Sequence, residues 1–354
     1  MNSEKKELLM PDNYTTRELL GAIQEAGIRR DNFFMRFFFR EMYTFDTEKV
    51  DLDMIPNKTK IAAFCSPMIG AAIDRNQGFK TSSFKPAYVK SKHAVTANQS
   101  VKRRPGEPIT GSMSAGDRQN AIVMQNLDIE EQAVRDREEL MCAEMVYDGK
   151  TVIDSPYIDK PYEIDAGRNA DNMITLLSAA QWANQDVEKY DIVGDIETWA
   201  AISEGLTNVI ITDPKTWALM RKFKKFNDAL ETRRGSNSQL ETALKDLGAT
   251  VSVKGNLGDV TIIVVDEEYI DRDGTTKKVQ RDFTLILAHT ELRGARLYGQ
   301  IQDLSAQREG FDEAERYVKD WTENGDPEVR YTKTEAAPAM YLIDVNKVVV
   351  VKVG

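Results

Sequence analysis

Residues 114–149 read SAGDRQNAIVMQNLDIEEQAVRDREELMCAEMVYDG, and their interpretation decides the fold. Ser114 and Asp117 stand three apart, the spacing of a capping box, in which the hydroxyl and the acid close the free N–H groups of a first helical turn. After Asp117 neither Gly nor Pro interrupts the chain until Gly149, a fitting C-terminal stop. Val123, Leu127, Val134, Met141 and Met145 recur at spacings of four and seven, which puts them on one side of a helix. A helix over 115–147 would be about 50 Å long at 1.5 Å per residue. That is long for a globular domain. It is also acidic: Asp117, Asp128, Glu130, Glu131, Asp136, Glu138, Glu139, Glu144 and Asp148 stand against Arg118, Arg135 and Arg137.

The segment before the helix has the opposite charge. From residue 80 to 104 come Lys80, Lys85, Lys90, Lys92, Lys102, Arg103 and Arg104, with no acid among them. Two apolar stretches, Ile61–Phe64 and Met68–Ile73, and a Gln77-Gly78 turn precede it, and Pro105, Gly106, Pro108 and Gly111 close it. A stretch so polar cannot bury a core of its own. A long hairpin or extended loop fits, one that needs support from elsewhere.

Further upstream, a helix-like stretch over 14–26 leads into an aromatic burst of Phe33, Phe34, Phe37, Phe38, Phe39, Tyr43 and Phe45. Five of the chain's 13 Phe fall within seven residues, too many to bury on one short helix. They either plug the chain's own core or anchor on a neighbouring subunit, since large aromatics are favoured interface anchors.

Downstream of Thr151 the pattern is mixed. Helices are expected over 171–185 and 195–204, from Pro214, and after the capping box Ser238-Gln239-Leu240-Glu241, ending at Gly248. Strands are expected over 209–212, 251–254, 260–265, 283–288 and 341–353, with a hairpin turn at Asp273-Gly274.

The 354 residues allow about two domains or one elaborate one. Lys and Arg number 47 and Asp and Glu 57, a net charge of −10. That balance opposes tight non-specific DNA binding, which needs a basic surface to release counterions. With 41% hydrophobic and 29% charged residues, the chain suits a soluble, globular protein. No apolar run reaches the roughly 20 residues that span a bilayer, and the N-terminal stretch lacks a secretory h-region. Cys65 and Cys142 lie too far apart for a metal knuckle or a redox motif, as in a reduced, intracellular chain.

Catalytic signatures are absent: no phosphate-binding loop, no dinucleotide-binding glycine triplet, no zinc helix and no nucleophile elbow. His93 reads as a surface loop residue and His289 as a satisfied residue at a strand end. Asp271-Arg272-Asp273-Gly274 lacks the later glutamate of a calcium loop and reads as a turn. No cofactor, metal or catalytic residue is assigned.

Arm, basic loop, long acidic helix, α/β region and returning strands, in that order, resemble the major capsid proteins of tailed bacteriophages, with the Hong Kong 97-type α+β fold. Several segments are similar to the lambda major head protein family: FFFREMYTFDTEKV over 37–50, YVKSKH over 88–93, IVMQN over 122–126 and TRRGSNSQLETALKDLG over 232–248. YGQIQD over 298–303, AQREG over 306–310 and GDP over 325–327 extend the match. The resemblance implies an N-terminal arm over 1–50, an extended E-loop over 51–113 and a peripheral domain over 114–167 with its spine helix over 114–147. An axial domain would span 168–297, and 298–354 would return to the peripheral domain.

The implied function is a major capsid protein that self-assembles into pentamers and hexamers and encloses double-stranded DNA in an icosahedral head. Such a protein is assembled in the host cytoplasm, first as a procapsid, and ends in the virion. Because the chain begins almost directly at the arm, a separate scaffolding protein is expected, beside a portal and a decoration protein at three-fold sites. DNA would be held without sequence-specific binding and no membrane would be involved. The alternatives are a bacterial nanocompartment shell of the same fold and, remotely, an α/β enzyme.

Three expectations follow. The subunit should be flat and extended, with a radius of gyration above the ~20 Å of a compact chain of this length. No autocatalytic cross-links should form between subunits. The loop of one subunit (Lys80, Lys85, Lys90, Lys92, Lys102, Arg103, Arg104) should meet the acidic helix of its neighbour (Asp128, Glu130, Glu131, Asp136, Glu138, Glu139). Against this last expectation stand a merely solvated charged face and a loop that binds DNA inside the shell.

Overall fold

The computed structural model describes residues 13–26, 32–54, 80–102, 114–231 and 250–354. The expected stretches at 61–64, 68–73 and 77–78, and the helix after Ser238, lie outside the described residues, as do Cys65, Arg103 and Arg104.

The long helix is present as Ala115–Asp148. Ser114 Oγ accepts the Asp117 N–H at 3.1 Å, and the Asp117 carboxylate accepts from Ser114 N at 3.1 Å. Gly149 ends the helix at φ 70°, where only a residue without Cβ is unstrained. In chain order this helix is α4. Before it come α1 (Thr16–Ala26), α2 (Phe33–Phe38) and α3 (Ala97–Val101), and after it α5 (Ile192–Ala200), α6 (Pro214–Met220) and α7 (Lys224–Ala229).

One seven-stranded sheet, the axial sheet, is built from the segment expected as the axial domain and from residues 349–352 of the expected return. Its order is β7 (Met173–Thr175), β19 (Val349–Lys352), β14 (Thr284–Ala288), β8 (Val209–Thr212), β11 (Val260–Val265), β10 (Val251–Leu257) and β9 (Leu230–Glu231). The central strands are continuous apolar runs because both sheet faces are covered. Val209 and Ile211 of β8 enter one core cluster and Ile210, between them, enters another. Trp182, Trp199, Phe223 and Phe226 fill the second cluster.

The elements expected as the peripheral domain lie along α4, joined by residues 89–95 of the expected loop. A three-stranded sheet, in order β16 (Tyr317–Glu323), β17 (Val329–Ala336) and β4 (Val89–Val95), packs on the helix. A second sheet places β1 (Glu41–Thr44) beside β15 (Gly294–Tyr298) and β18 (Pro338–Leu342). Three ribbons have only two strands: β2 (Val50–Met54) with β3 (Lys80–Phe84), β5 (Lys150–Ile153) with β6 (Tyr162–Asp165), and β12 (Glu268–Ile270) with β13 (Thr276–Lys278). Gly274, at φ 83°, turns the last of these, as its Asp-Gly pair predicts.

Three expectations need correction. Residues 171–185 are not a helix but β7 flanked by 3-10 turns. Asn172 Nδ2 donates to the carbonyls of Asn346 (2.8 Å) and Val348 (3.0 Å), and Trp182 N donates to Val353 O (3.0 Å). These long-range bonds draw the segment alongside β19 and override local helical preference. Residues 341–353 are not one strand, because a 3-10 turn over Val345–Lys347 separates β18 from β19 and moves the chain between sheets. The helix expected over 195–204 starts earlier and ends earlier, at Ile192–Ala200, since the Asp191 carboxylate caps Gly194 N at 3.1 Å.

Candidate assembly site

The five phenylalanines of the aromatic burst from Phe33 to Phe39 plug the chain's own core, whereas Tyr43 is exposed. Phe33, Phe34, Phe37, Phe38 and Phe39 are all buried. Phe33 stacks on Phe37 at 5.2 Å, and Phe34 meets Tyr147 of α4 edge-on at 5.8 Å. The first turn of α2 is held by acids from elsewhere. The Glu139 carboxylate accepts Phe34 N at 2.6 Å and Met35 N at 2.9 Å, and Glu267 accepts Phe33 N at 3.3 Å. The free N–H groups of a helix start are natural partners for carboxylates.

The acids of α4 therefore need correction. Glu130, Glu131, Glu138 and Glu139 are buried against their own subunit and do not form an exposed acidic face. Glu138 takes a two-pronged bond from Arg316, at 2.7 and 2.5 Å, and Glu131 takes the same arginine's Nε at 3.2 Å. Arg135 adds a 2.6 Å ion pair to Glu131. Glu130 accepts the hydroxyls of Thr332 (2.7 Å) and Thr334 (3.1 Å) and lies 3.0 Å from His93 Nδ1. His93 is thus a half-buried residue of β4, not a free loop residue. Asp136 accepts from Gln132 Nε2 at 2.7 Å, and Asp128 is half-buried.

Burial shapes the electrostatics here. It pushes the Glu130 carboxyl up, against the pull of Thr332, His93 and Thr334. Glu139 is raised well above the usual carboxylate value, first by burial and then by the Glu267 charge. Burial also opposes the Arg316 charge, but Glu138 and Glu131 outweigh it and hold the guanidinium well above its ordinary value. The two-pronged geometry makes the ionised pair the relevant species.

The basic segment divides. Lys80 opens β3, and Lys85 forms an exposed 2.7 Å pair with Glu48. Lys90 and Lys92 sit on β4, which belongs to the peripheral sheet of the same subunit and not to a free loop. Lys90 lies 3.3 Å from the buried Glu335, and Lys92 lies over the rings of Tyr331 (3.8 Å) and Trp321 (4.9 Å). Lys102 is exposed after α3.

Sequence reading missed Arg316, Asp303 and Lys333. Asp303 accepts from Lys333 at 2.8 Å and caps the helix Leu304–Glu309 through Ser305 N at 2.8 Å. Burial opposes its charge, yet Lys333 and the Ser305 N–H hold it down to about 2. One signal was available. Glu130, Glu131 and Glu138 fall three or four residues from Leu127 and Val134, on the apolar stripe itself.

Among the described residues no group of three His, Cys, Asp or Glu could hold a metal ion. Among them, too, no helix is long and apolar enough to cross a membrane. What the geometry provides is a rigid helix-and-sheet body with a two-stranded ribbon, β2–β3, rooted on it through Val50 and the Phe84–Tyr341 stack at 5.5 Å.

Known proteins share this plan. The family described as phage major capsid protein E matches residues 15–353. The major capsid protein of Escherichia phage N15 is 43% identical over 341 residues, covering 96% of this chain and 99% of that one. That of Escherichia phage lambda is 42% identical over 341 residues, with the same coverage. A solved structure assigned as a capsid protein of an E. coli CFT073 prophage superimposes with a TM-score of 0.79 and 32% identity, over 97% of this chain and 100% of that one. The fold is the Hong Kong 97 type, and the protein forms the capsid shell of a tailed-phage virion. This chain belongs to the phage major capsid protein E family.

Proposed function

We propose that the subunit assembles as pentamers and hexamers into a closed icosahedral shell, with the β2–β3 ribbon of each subunit lying on its neighbour. The observation that carries this reading is the ribbon itself. A two-stranded ladder is at best marginally stable in water, and no third strand joins this one among the described residues. Lys102, exposed after α3, is available to acids of the neighbouring subunit. Glu130, Glu131, Glu138 and Glu139 are not those acids. Each exposed pair contributes about 0.2–1 kcal/mol, so the contacts matter for docking specificity more than for affinity.

The protein has no catalytic role in this reading and forms no covalent cross-links between subunits. A separate scaffolding protein, a portal and a decoration protein at three-fold sites complete the head. The net charge of −10 suits a wall that packaged DNA slides past without sequence-specific binding.

Electron microscopy of the purified chain, alone and with its scaffolding partner, tests the reading. Shells, tubes or rings that yield a single band near 40.0 kDa on denaturing gels are expected. A monomer that never assembles, or a ladder resistant to boiling, would overturn it.

A further inference from the structure

The last turn of α4 is gripped by two arginines. Arg168 donates to the carbonyls of Val146 (2.7 Å) and Tyr147 (3.0 Å), groups that a helix end leaves unpaired, and to that of Met145 (3.2 Å), which also accepts Gly149 N. Arg281 makes a two-pronged bond to Asp148, at 2.6 and 2.6 Å, and its guanidinium lies 4.7 Å from the centre of the Tyr147 ring. Cations at a helix C-terminus are favourable, and Arg281 also offsets an acid that the helix dipole would disfavour there. Arg168 packs so tightly across Gly149 that a Cβ on the glycine would stand 2.6 Å from the arginine's own Cβ.

Both arginines lead into the axial sheet, and into neighbouring strands of it. Next to Arg168, Asn169 N donates to Asn346 Oδ1 at 2.9 Å, and Asn172 holds the carbonyls of Asn346 and Val348, directly before β19. Arg281 lies three residues before β14, which pairs with β19. Helix end and sheet are therefore joined at two points whose sheet-side anchors are themselves hydrogen-bonded together.

We infer that Arg168 and Arg281 are positioning residues for assembly: together they fix the angle between the spine helix and the axial sheet, and with it the curvature of the shell. The inference rests on the shell-forming role. Every copy repeats this angle, so a few degrees of freedom at the joint become a spread of particle radii. No ligand or titration is required.

Four variants test it: Arg281→Met, Arg168→Met, Arg168→Lys and the exchange Asp148→Arg with Arg281→Asp. Subunit thermal unfolding and shell diameters from cryo-electron microscopy are read side by side. Arg281 is half-exposed, so Arg281→Met is expected to unfold within about 4 °C of the parent. Its shells should nevertheless spread in diameter by at least about twofold more than the parent's, and the exchange should restore the parent width. Arg168→Met should spread them further, and Arg168→Lys, which keeps a cation at the helix end, should partly recover. Ile286→Val in the axial core serves as a control for general loss of stability. Parent-like diameters for Arg281→Met, an exchange that restores nothing, or an equal spread in the Ile286→Val control would each overturn the inference.

Discussion

The axial sheet and the peripheral body are both well packed, but with different materials. The axial strands bury Val, Ile and Leu on both faces, so their stability comes from apolar area and close packing. Beneath the peripheral sheet, α4 instead buries Glu130, Glu131, Glu138 and Glu139 against Arg316, threonine hydroxyls and the start of α2. A buried ion pair adds little net stability over a hydrophobic one, yet breaking it is costly. The axial core should thus tolerate conservative change and ignore pH. The peripheral core should do neither.

The sharpest break of that contrast is Glu138→Lys, which would set two buried cations face to face. Losing one partner of a buried pair costs about 3–5 kcal/mol, and reversal should exceed this. Chemical denaturation, or simple loss of soluble subunit, measures it. The same substitution on a solvated helix face would change little, so normal folding would show that the acids are not buried partners.

In the axial core, Ile286→Ala should cost about 2–5 kcal/mol through lost packing and a cavity. Its cost should be the same at pH 5 and pH 8.

The peripheral core should respond to pH in a stated direction. Glu130 and Glu139 are raised above 4.5 by burial, so the folded chain holds these protons more tightly than the unfolded chain. Their stabilisation is complete below about 4.5 and is lost as pH rises through the folded values. Stability should therefore fall with rising pH above 4.5, and Glu139→Gln should flatten that slope. Asp303 acts in reverse: its contribution is present above 3.8 and lost as pH falls towards about 2. Urea titrations at several pH values separate the two. The smallest effect belongs to Lys85→Glu, whose exposed pair with Glu48 should leave subunit stability nearly unchanged.

What the sequence revealed follows from the range of the interactions involved. The α4 helix, its Ser114–Asp117 box and its Gly149 stop depend on neighbours in the chain, and they were legible. So were β8, β11 and β14, whose apolar runs need no partner to be recognised. The fate of residues 171–185 was not legible, because bonds to Asn346, Val348 and Val353 decide it across more than 170 residues. The acids of α4 were misjudged for the same reason. Arg316 lies 178 residues from Glu138, and nothing local marks it as the partner. Family resemblance supplied the architecture, whereas the partner of each charge required coordinates.

On the proposed reading, the spine-helix acids bond inside their own subunit while the β2–β3 ribbon lies on a neighbour. A side-chain-resolution cryo-electron microscopy reconstruction of the assembled shell tests it most directly. The account predicts Glu131 and Glu138 on Arg316 of the same chain, and the ribbon lying across an adjacent subunit. Density that joins those glutamates to a neighbour's lysines, or a ribbon folded back on its own subunit, would contradict it.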